Sequence, residues 1–178
     1  MKHAYYCLAL SVVLLSACGK EDPDPVDQLP PATQTGANTF GCLVNGQPWT
    51  PRGNNGTSNY TVSYDIFPDG GLLEIVAYRI YGTGPDDFQS LSLWTKELHG
   101  IGTRSFQNTQ NSIARFNEQR RNCVWRSRDS TTTYRRGQLT ITRLDLQAGV
   151  VSGTFAFTMY KPGCDSIRVT EGRFDRKL

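Results

Sequence analysis

Apolar and polar residues alternate along most of the chain, with a period of two residues. Between positions 60 and 66, the apolar residues Tyr60, Val62, Tyr64 and Ile66 alternate with polar ones. This alternation is typical of a β-strand with one buried face. In the segment from 72 to 81, one face carries Leu72, Val76, Tyr78 and Ile80. In the segment from 150 to 160, one face carries Val151, Phe155, Phe157 and Met159.

Loops rich in glycine, proline, asparagine and aspartate separate these segments. Asn45-Gly46 is a strong hairpin signal because both residues tolerate positive φ angles. Two prolines in the return segment 47–51 indicate a short strand or one at a sheet edge. Other strands are predicted near residues 39–44, 88–95, 112–117, 122–128, 137–144 and 165–174. The pattern predicts an all-β fold, a single antiparallel β-sandwich or barrel of about nine or ten short strands.

The N-terminus has the features of an export signal. Lys2 precedes an apolar run from residue 4 to residue 17, which is too short to span a bilayer. The run ends in Leu15-Ser16-Ala17-Cys18-Gly19, which resembles the lipobox of bacterial lipoproteins. The resemblance implies removal of residues 1–17 and lipidation of Cys18, which would anchor the protein to a membrane. The alternatives are an ordinary secretory signal or a buried helix with an incidental cysteine.

Residues 18–37 are rich in proline and acidic residues and contain few large apolar ones. This composition is typical of a flexible tether, which places the β domain at residues 38–178. Lys20-Glu21-Asp22 is similar to a signal that sends some bacterial lipoproteins to the cell surface. We expect a bacterial envelope protein anchored to the outer membrane, on its surface or its inner leaflet.

Two ends of the predicted domain carry a family resemblance. Residues 38–46 (NTFGCLVNG) and Trp49-Thr50-Pro51 open the domain, and residues 139–145, 151–155 and 170–175 close it. These motifs resemble a family of uncharacterised bacterial lipoproteins with a domain of unknown function. The resemblance implies a fold and a location, and it supplies no catalytic residue.

Three cysteines remain in the domain: Cys42, Cys123 and Cys164. Export permits a disulfide, and Cys123 and Cys164 lie on late segments that could form neighbouring strands. We therefore expect a Cys123–Cys164 disulfide, with Cys42–Cys164 as the main rival pairing. Cys42 would then be a buried apolar residue beside Phe40 and Val44.

The remaining composition argues against several functions. A net charge of +3 does not indicate a nucleic-acid binder. His99 is the sole histidine after the signal, and no His/Cys spacing suits a metal, so no metal or cofactor is expected. The sequence contains no phosphate-binding loop and no GxSxG motif. We expect a protein without enzymatic activity, in monomeric form.

The segment from Arg115 to Arg136 is rich in arginine, with seven arginines against two acids. Arg126, Arg128 and Trp125 are its candidate ligand-binding residues, because guanidinium groups pair with anions and stack on rings. An anionic glycan or a lipid headgroup would fit, whereas a solvated strand pair would explain the arginines without a ligand. A second candidate surface consists of Tyr60, Tyr64, Tyr78 and Trp94, and the favoured alternative is that these rings lie in the core.

We therefore expect a lipid-anchored binding or structural accessory module. One alternative is a small polysaccharide hydrolase that uses carboxylates far apart in the sequence. Another is a lipocalin-like barrel that carries a hydrophobic ligand.

Overall fold

The computed structural model describes residues 23–67 and 70–178, which form eleven antiparallel strands in two sheets. The strands are β1 Thr39–Val44, β2 Gln47–Trp49, β3 Tyr60–Asp65, β4 Leu72–Ile80, β5 Phe88–Thr95, β6 Gly102–Ser105, β7 Ser112–Glu118, β8 Cys123–Arg126, β9 Tyr134–Asp145, β10 Val150–Lys161 and β11 Asp165–Lys177. Within the described residues, no helix has the length and apolar character needed to cross a bilayer.

The two sheets have the strand orders β2-β1-β11-β10-β9-β6 and β3-β4-β5-β7-β8. Each order ends in free edges, so the architecture is an open sandwich and not a closed barrel. Pro48 lies in the edge strand β2, where its missing N–H costs no ladder hydrogen bond. Asn45 and Gly46 both adopt positive φ angles in the β1–β2 turn, which confirms the predicted hairpin.

The core lies between the sheets and is filled by large apolar side chains. The predicted inner face of β10 is confirmed, because Val151, Phe155, Phe157 and Met159 are all buried. In β4 the face that carries Val76 and Tyr78 points away from the core, and the opposite face points toward it. Its inner residues are Leu73, Ile75 and Ala77, each with no exposed surface. The facing sheets thus interlock through alternate residues of each strand.

Strand β6 was not among the predicted strands. Its four residues are exposed or half-buried, so its sequence carries no apolar alternation. It pairs with β9 from Gly102 to Ser105 and forms an edge of the larger sheet. An edge strand needs less apolar surface than a central one, and this explains why the pattern did not reveal it.

The segment before β1 is held against the larger sheet. Pro25–Gln28 forms a single 3-10 turn, and Leu29 is buried. Backbone N–H groups of Thr35, Gly36 and Ala37 donate to the carboxylate of Asp175 at 2.9 Å each. The ordered unit thus includes residues 29–37, which the composition assigned to a flexible tether. The acidic residue that fixes them lies some 140 residues away in sequence.

Candidate ligand-binding site

The arginine-rich segment forms β7, β8 and the start of β9, and internal contacts already occupy three of its arginines. Arg120 pairs with Asp87 and lies over the ring of Tyr81. Arg121 donates to the carbonyl of Cys164 at 2.9 Å. Arg135 donates to backbone carbonyls of the loop before β9. These three guanidinium groups stabilise the fold locally.

Arg115, Arg126 and Arg128 are exposed, and their guanidinium groups lack such contacts. Arg115 on β7 stands directly opposite Arg126 on β8, and Arg128 follows two residues after Arg126, beyond the end of β8. Within residues 23–67 and 70–178, none of the three guanidinium groups has a hydrogen-bond, ion-pair or ring partner. Cross-strand neighbours of like charge are unfavourable, so this arrangement does not stabilise the pairing of β7 with β8.

Strand register places Trp94 on the same outer face as the arginines. Trp94 stands opposite Glu74 on β4 and Ile113 on β7, and Ser92 stands opposite Arg115. The resulting groove has a volume of about 600 Å³, within the range of ligand-sized pockets. Its lining is Glu74, Ser92, Trp94, Ile113, Arg115, Val124, Arg126, Arg128 and Asp129. We call this surface the arginine face.

Trp125 is not part of the arginine face, which corrects the sequence-based grouping of Trp125 with Arg126 and Arg128. Neighbouring residues of a strand point to opposite faces, and Trp125 points inward with 1% of its surface exposed. Its indole N–H donates to the carbonyl of Asp165 at 2.9 Å. Trp94 supplies the aromatic ring of the arginine face instead.

The second candidate surface, that of the four aromatic residues, is not assembled either. Tyr60 lies in the core, and Tyr64 donates its hydroxyl proton to the carbonyl of Leu98. Tyr78 is buried, and its hydroxyl contacts the backbone of residues 55 and 57. Of the four candidates, Trp94 is the one that lies on the open part of the outer face.

The disulfide joins Cys123 and Cys164, with 5.6 Å between their Cα atoms, as the sequence predicts. It connects edge strand β8 of one sheet to the β10–β11 turn of the other. Lys161 also crosses this gap and donates to the carbonyl of Val124 at 3.0 Å. Cys42 is a buried free thiol, and burial raises its pKa well above the ordinary value. Such a thiol is a poor nucleophile.

Acidic residues and histidine do not gather into a reactive cluster in the described part of the chain, where no group of three metal-ligating side chains occurs. Asp87 is buried, accepts from the N–H of Gly84 and pairs with Arg120. Its carboxylate therefore fixes the loop before β5. His99 is exposed in the turn before β6, beside Gly70.

The predicted signal peptide, Cys18 and the Lys20-Glu21-Asp22 motif lie outside the described residues. Their assignment stays a prediction from the sequence. The role of Glu74 and Ser92 in the groove was not predicted, because register between distant strands sets it. Glu74 is an exposed acid in an alternating strand, and its local sequence does not indicate a binding site.

The chain matches the family model of DUF6252, a domain of unknown function, over residues 66–176. No curated protein and no solved structure matches the chain. The match begins just after β3 and ends one residue before the end of β11, and it includes every lining residue of the arginine face. The opening motif of residues 38–46 lies before the matched region. Because the match covers more than half of the sequence, the chain belongs to the DUF6252 family.

Proposed function

We propose that this protein is a lipid-anchored envelope protein whose β domain binds an anionic polysaccharide at the arginine face. The observation that carries the proposal is the grouping of three unpaired guanidinium groups around one open indole ring. No hydrogen bond, ion pair or ring contact within the described residues accounts for this grouping. A ligand with carboxylate groups would give each of them a partner.

The chemistry of the groove favours a glycan over a lipid headgroup. Trp94 offers a flat apolar surface on which a sugar ring can lie. The arginines can bind uronic acid carboxylates in bidentate fashion. Glu74 and Asp129 line the same groove, and their carboxylates can accept hydrogen bonds from sugar hydroxyls.

The membrane anchor of the proposal is lipidated Cys18, and its support is the order of charge, apolar run, small residues and cysteine at residues 2–18. Metabolic labelling of the full chain with a fatty-acid analogue tests it. Label should appear on the protein and be lost in Cys18→Ser. Protease treatment of intact cells then distinguishes the two leaflets, because cleavage supports the surface position and full protection contradicts it.

Binding to polygalacturonate, with dextran as a neutral control, tests the arginine face. We expect the double variant Arg126→Ala plus Arg128→Ala to weaken binding by at least about tenfold, the effect of losing one or two charge-assisted hydrogen bonds. Binding should also weaken as salt rises. Arg136→Ala plus Arg168→Ala is the matched control, because both residues are exposed on the other sheet.

Several outcomes would contradict this function. They are equal losses in the two double variants, binding that does not depend on salt, equal binding to dextran, or binding to anionic vesicles in place of polygalacturonate. Release of new reducing ends from the polymer would instead support a hydrolase. Loss of that activity on replacing one acid would identify the catalytic carboxylate.

A further inference from the structure

A second cavity lies at the seam between the two sheets, where the β1–β2 hairpin approaches the β7–β8 turn. Its volume is about 220 Å³, enough for roughly seven water molecules at their volume in the liquid. Trp49, Trp125 and Ile167 give it apolar lining, and Arg79, Arg121 and Glu118 give it charge. We call it the seam cavity. It is separate from the arginine face, which shares none of these residues.

Arg79 is the most constrained charge of the seam cavity. Its guanidinium carbon lies 5.9 Å from the centre of the Trp49 ring and 5.8 Å from that of Tyr81. One amino group donates to the carbonyl of Pro48 at 3.1 Å, whereas Nε is buried and has no hydrogen-bond partner in the described residues. Burial lowers the pKa of Arg79, and neighbouring Arg52 lowers it further.

The one carboxylate of the seam cavity already has partners on both oxygens. Tyr81 donates its hydroxyl proton to Glu118 Oε1 at 2.9 Å, and the amide nitrogen of Gln89 donates to Oε2. Gln89 in turn accepts from the indole N–H of Trp49 at 2.8 Å. Glu118 thus orients the wall of the cavity and forms no ion pair with Arg79. The half-buried guanidinium of Arg79 therefore has no direct ion-pair partner in the described residues, although the charge of Glu118 acts on it and raises its pKa.

Arg121 supplies a second positive charge from the β7–β8 turn. Its guanidinium carbon lies 5.9 Å from the centre of the Trp125 ring, and one amino group reaches the carbonyl of Cys164. The side chain is exposed enough to turn toward a ligand. Two cations against one carboxylate give the lining of the seam cavity a net positive charge.

We propose that the seam cavity is a binding site for a small monocarboxylate with a flat or apolar body. Its carboxylate lies between Arg79 and Arg121, and its body extends past Val44 and Pro48. Trp49 and Trp125 are each 1% exposed and sense the ligand through the arginines that lie over their rings. Both arginines keep donor hydrogens that such a group can accept. The volume limits the ligand to a small molecule, so a polysaccharide chain does not enter.

The experiment uses benzoate as the probe and benzamide as its neutral isostere, with the chain from residue 19 onward. The protein has three tryptophans, and their indole N–H resonances report on the two sites separately. We expect benzoate to shift the resonances of Trp49 and Trp125 in a saturable way that does not depend on Arg126, whereas any shift of the Trp94 resonance reports on the arginine face. Benzamide should produce no saturable shift.

Arg121→Gln is the first variant, because its exposed side chain can be replaced without loss of the fold. We expect its affinity for benzoate to fall by about tenfold, as for one charge-assisted hydrogen bond in a partly wet site. Arg79→Met should abolish binding, provided that its indole spectrum stays that of a folded protein. Arg126→Gln is the matched control and should bind benzoate as the unchanged protein does.

Unchanged Trp49 and Trp125 resonances with benzoate would overturn the proposal, as would equal responses to benzamide or equal affinity in Arg121→Gln. Benzoate binding at the seam cavity does not depend on whether the arginine face binds polygalacturonate. Loss of polygalacturonate binding in Arg126→Gln with intact benzoate binding would support both sites. Loss of benzoate binding in Arg121→Gln with intact polygalacturonate binding would show that the two sites are separate.

Discussion

Ser152 on β10 and Asp175 on β11 stand directly opposite each other, and the Ser152 hydroxyl donates to the Asp175 carboxylate at 2.7 Å. The same carboxylate accepts from the Thr33 hydroxyl at 2.7 Å and from three backbone N–H groups of residues 35–37. One buried acid therefore fixes the segment before β1 to the last strand. Because Asp175 is almost fully buried, these donors take the place of water around its charge.

Asp175→Asn should destabilise the fold by about 2–4 kcal/mol, since an amide nitrogen would face N–H donors in place of a charged acceptor. Burial alone would raise the pKa of Asp175, but hydrogen bonds from Ala37, Thr33 and other donors outweigh it and hold the pKa well below the ordinary value. The contribution to stability is therefore present above about pH 4 and is lost as pH falls toward the folded-state pKa. Urea unfolding measured over acidic pH checks both effects.

The difference in stability between the unchanged protein and Asp175→Asn should shrink below about pH 4. Hydrogen exchange at Thr35, Gly36 and Ala37 should accelerate in the variant at neutral pH. Asp165→Asn is the control, because Asp165 is exposed and its positive φ angle suits asparagine equally well. A stability difference that stays constant with pH would contradict the role of the Asp175 charge.

Gly172 faces Phe155 across the β10–β11 ladder, and a Cβ atom at Gly172 would lie 2.5 Å from the Phe155 ring. Gly172→Ala should thus cost about 2–3 kcal/mol through overpacking. Gly100→Ala is its control, because a Cβ there would meet nothing within 4 Å. Thermal unfolding compares the two variants. Equal stabilities would show that the ring moves aside without cost.

The Cys123–Cys164 disulfide closes a loop with a sequence separation of 41. On the chain-entropy model, such a loop stabilises the fold by roughly 3–4 kcal/mol. The double variant Cys123→Ala plus Cys164→Ala should lose about this amount, and added reductant should not change it further. Cys42→Ala, which leaves the disulfide intact, serves as the comparison. A reductant-sensitive stability in the double variant would mean that Cys42 forms a different bond.

The sequence predicted the strands best where one face is apolar. The alternation in β10 and the Asn45-Gly46 turn identified those elements because both signals are local. Trp125 was wrongly grouped with Arg126 because adjacent residues of β8 point to opposite faces. The many arginines of this segment make that alternation hard to see in the sequence. Nothing local indicated the meeting of Trp94, Glu74 and Arg115, because each lies on a different strand and register alone brings them together.

The contacts of Asp175 could not be predicted from local sequence either, because its partner Thr35 lies 140 residues away in the chain. Its partners are Thr33 and residues 35–37, in a segment with the composition of a linker. Composition measures how much apolar surface a segment can bury, and it does not register a distant carboxylate that satisfies several backbone donors at once. Edge strand β6 was missed for a related reason, since its pairing with β9 needs little apolar surface.

The central claim is that Trp94 and its neighbouring arginines bind an anionic polysaccharide. The most direct test is a titration of the chain from residue 19 onward with short oligogalacturonates, followed through the indole N–H resonances of its three tryptophans. The account predicts a saturable, salt-sensitive shift of the Trp94 resonance, with those of Trp49 and Trp125 unchanged. A Trp94 resonance that does not move at saturating ligand and low salt would contradict it.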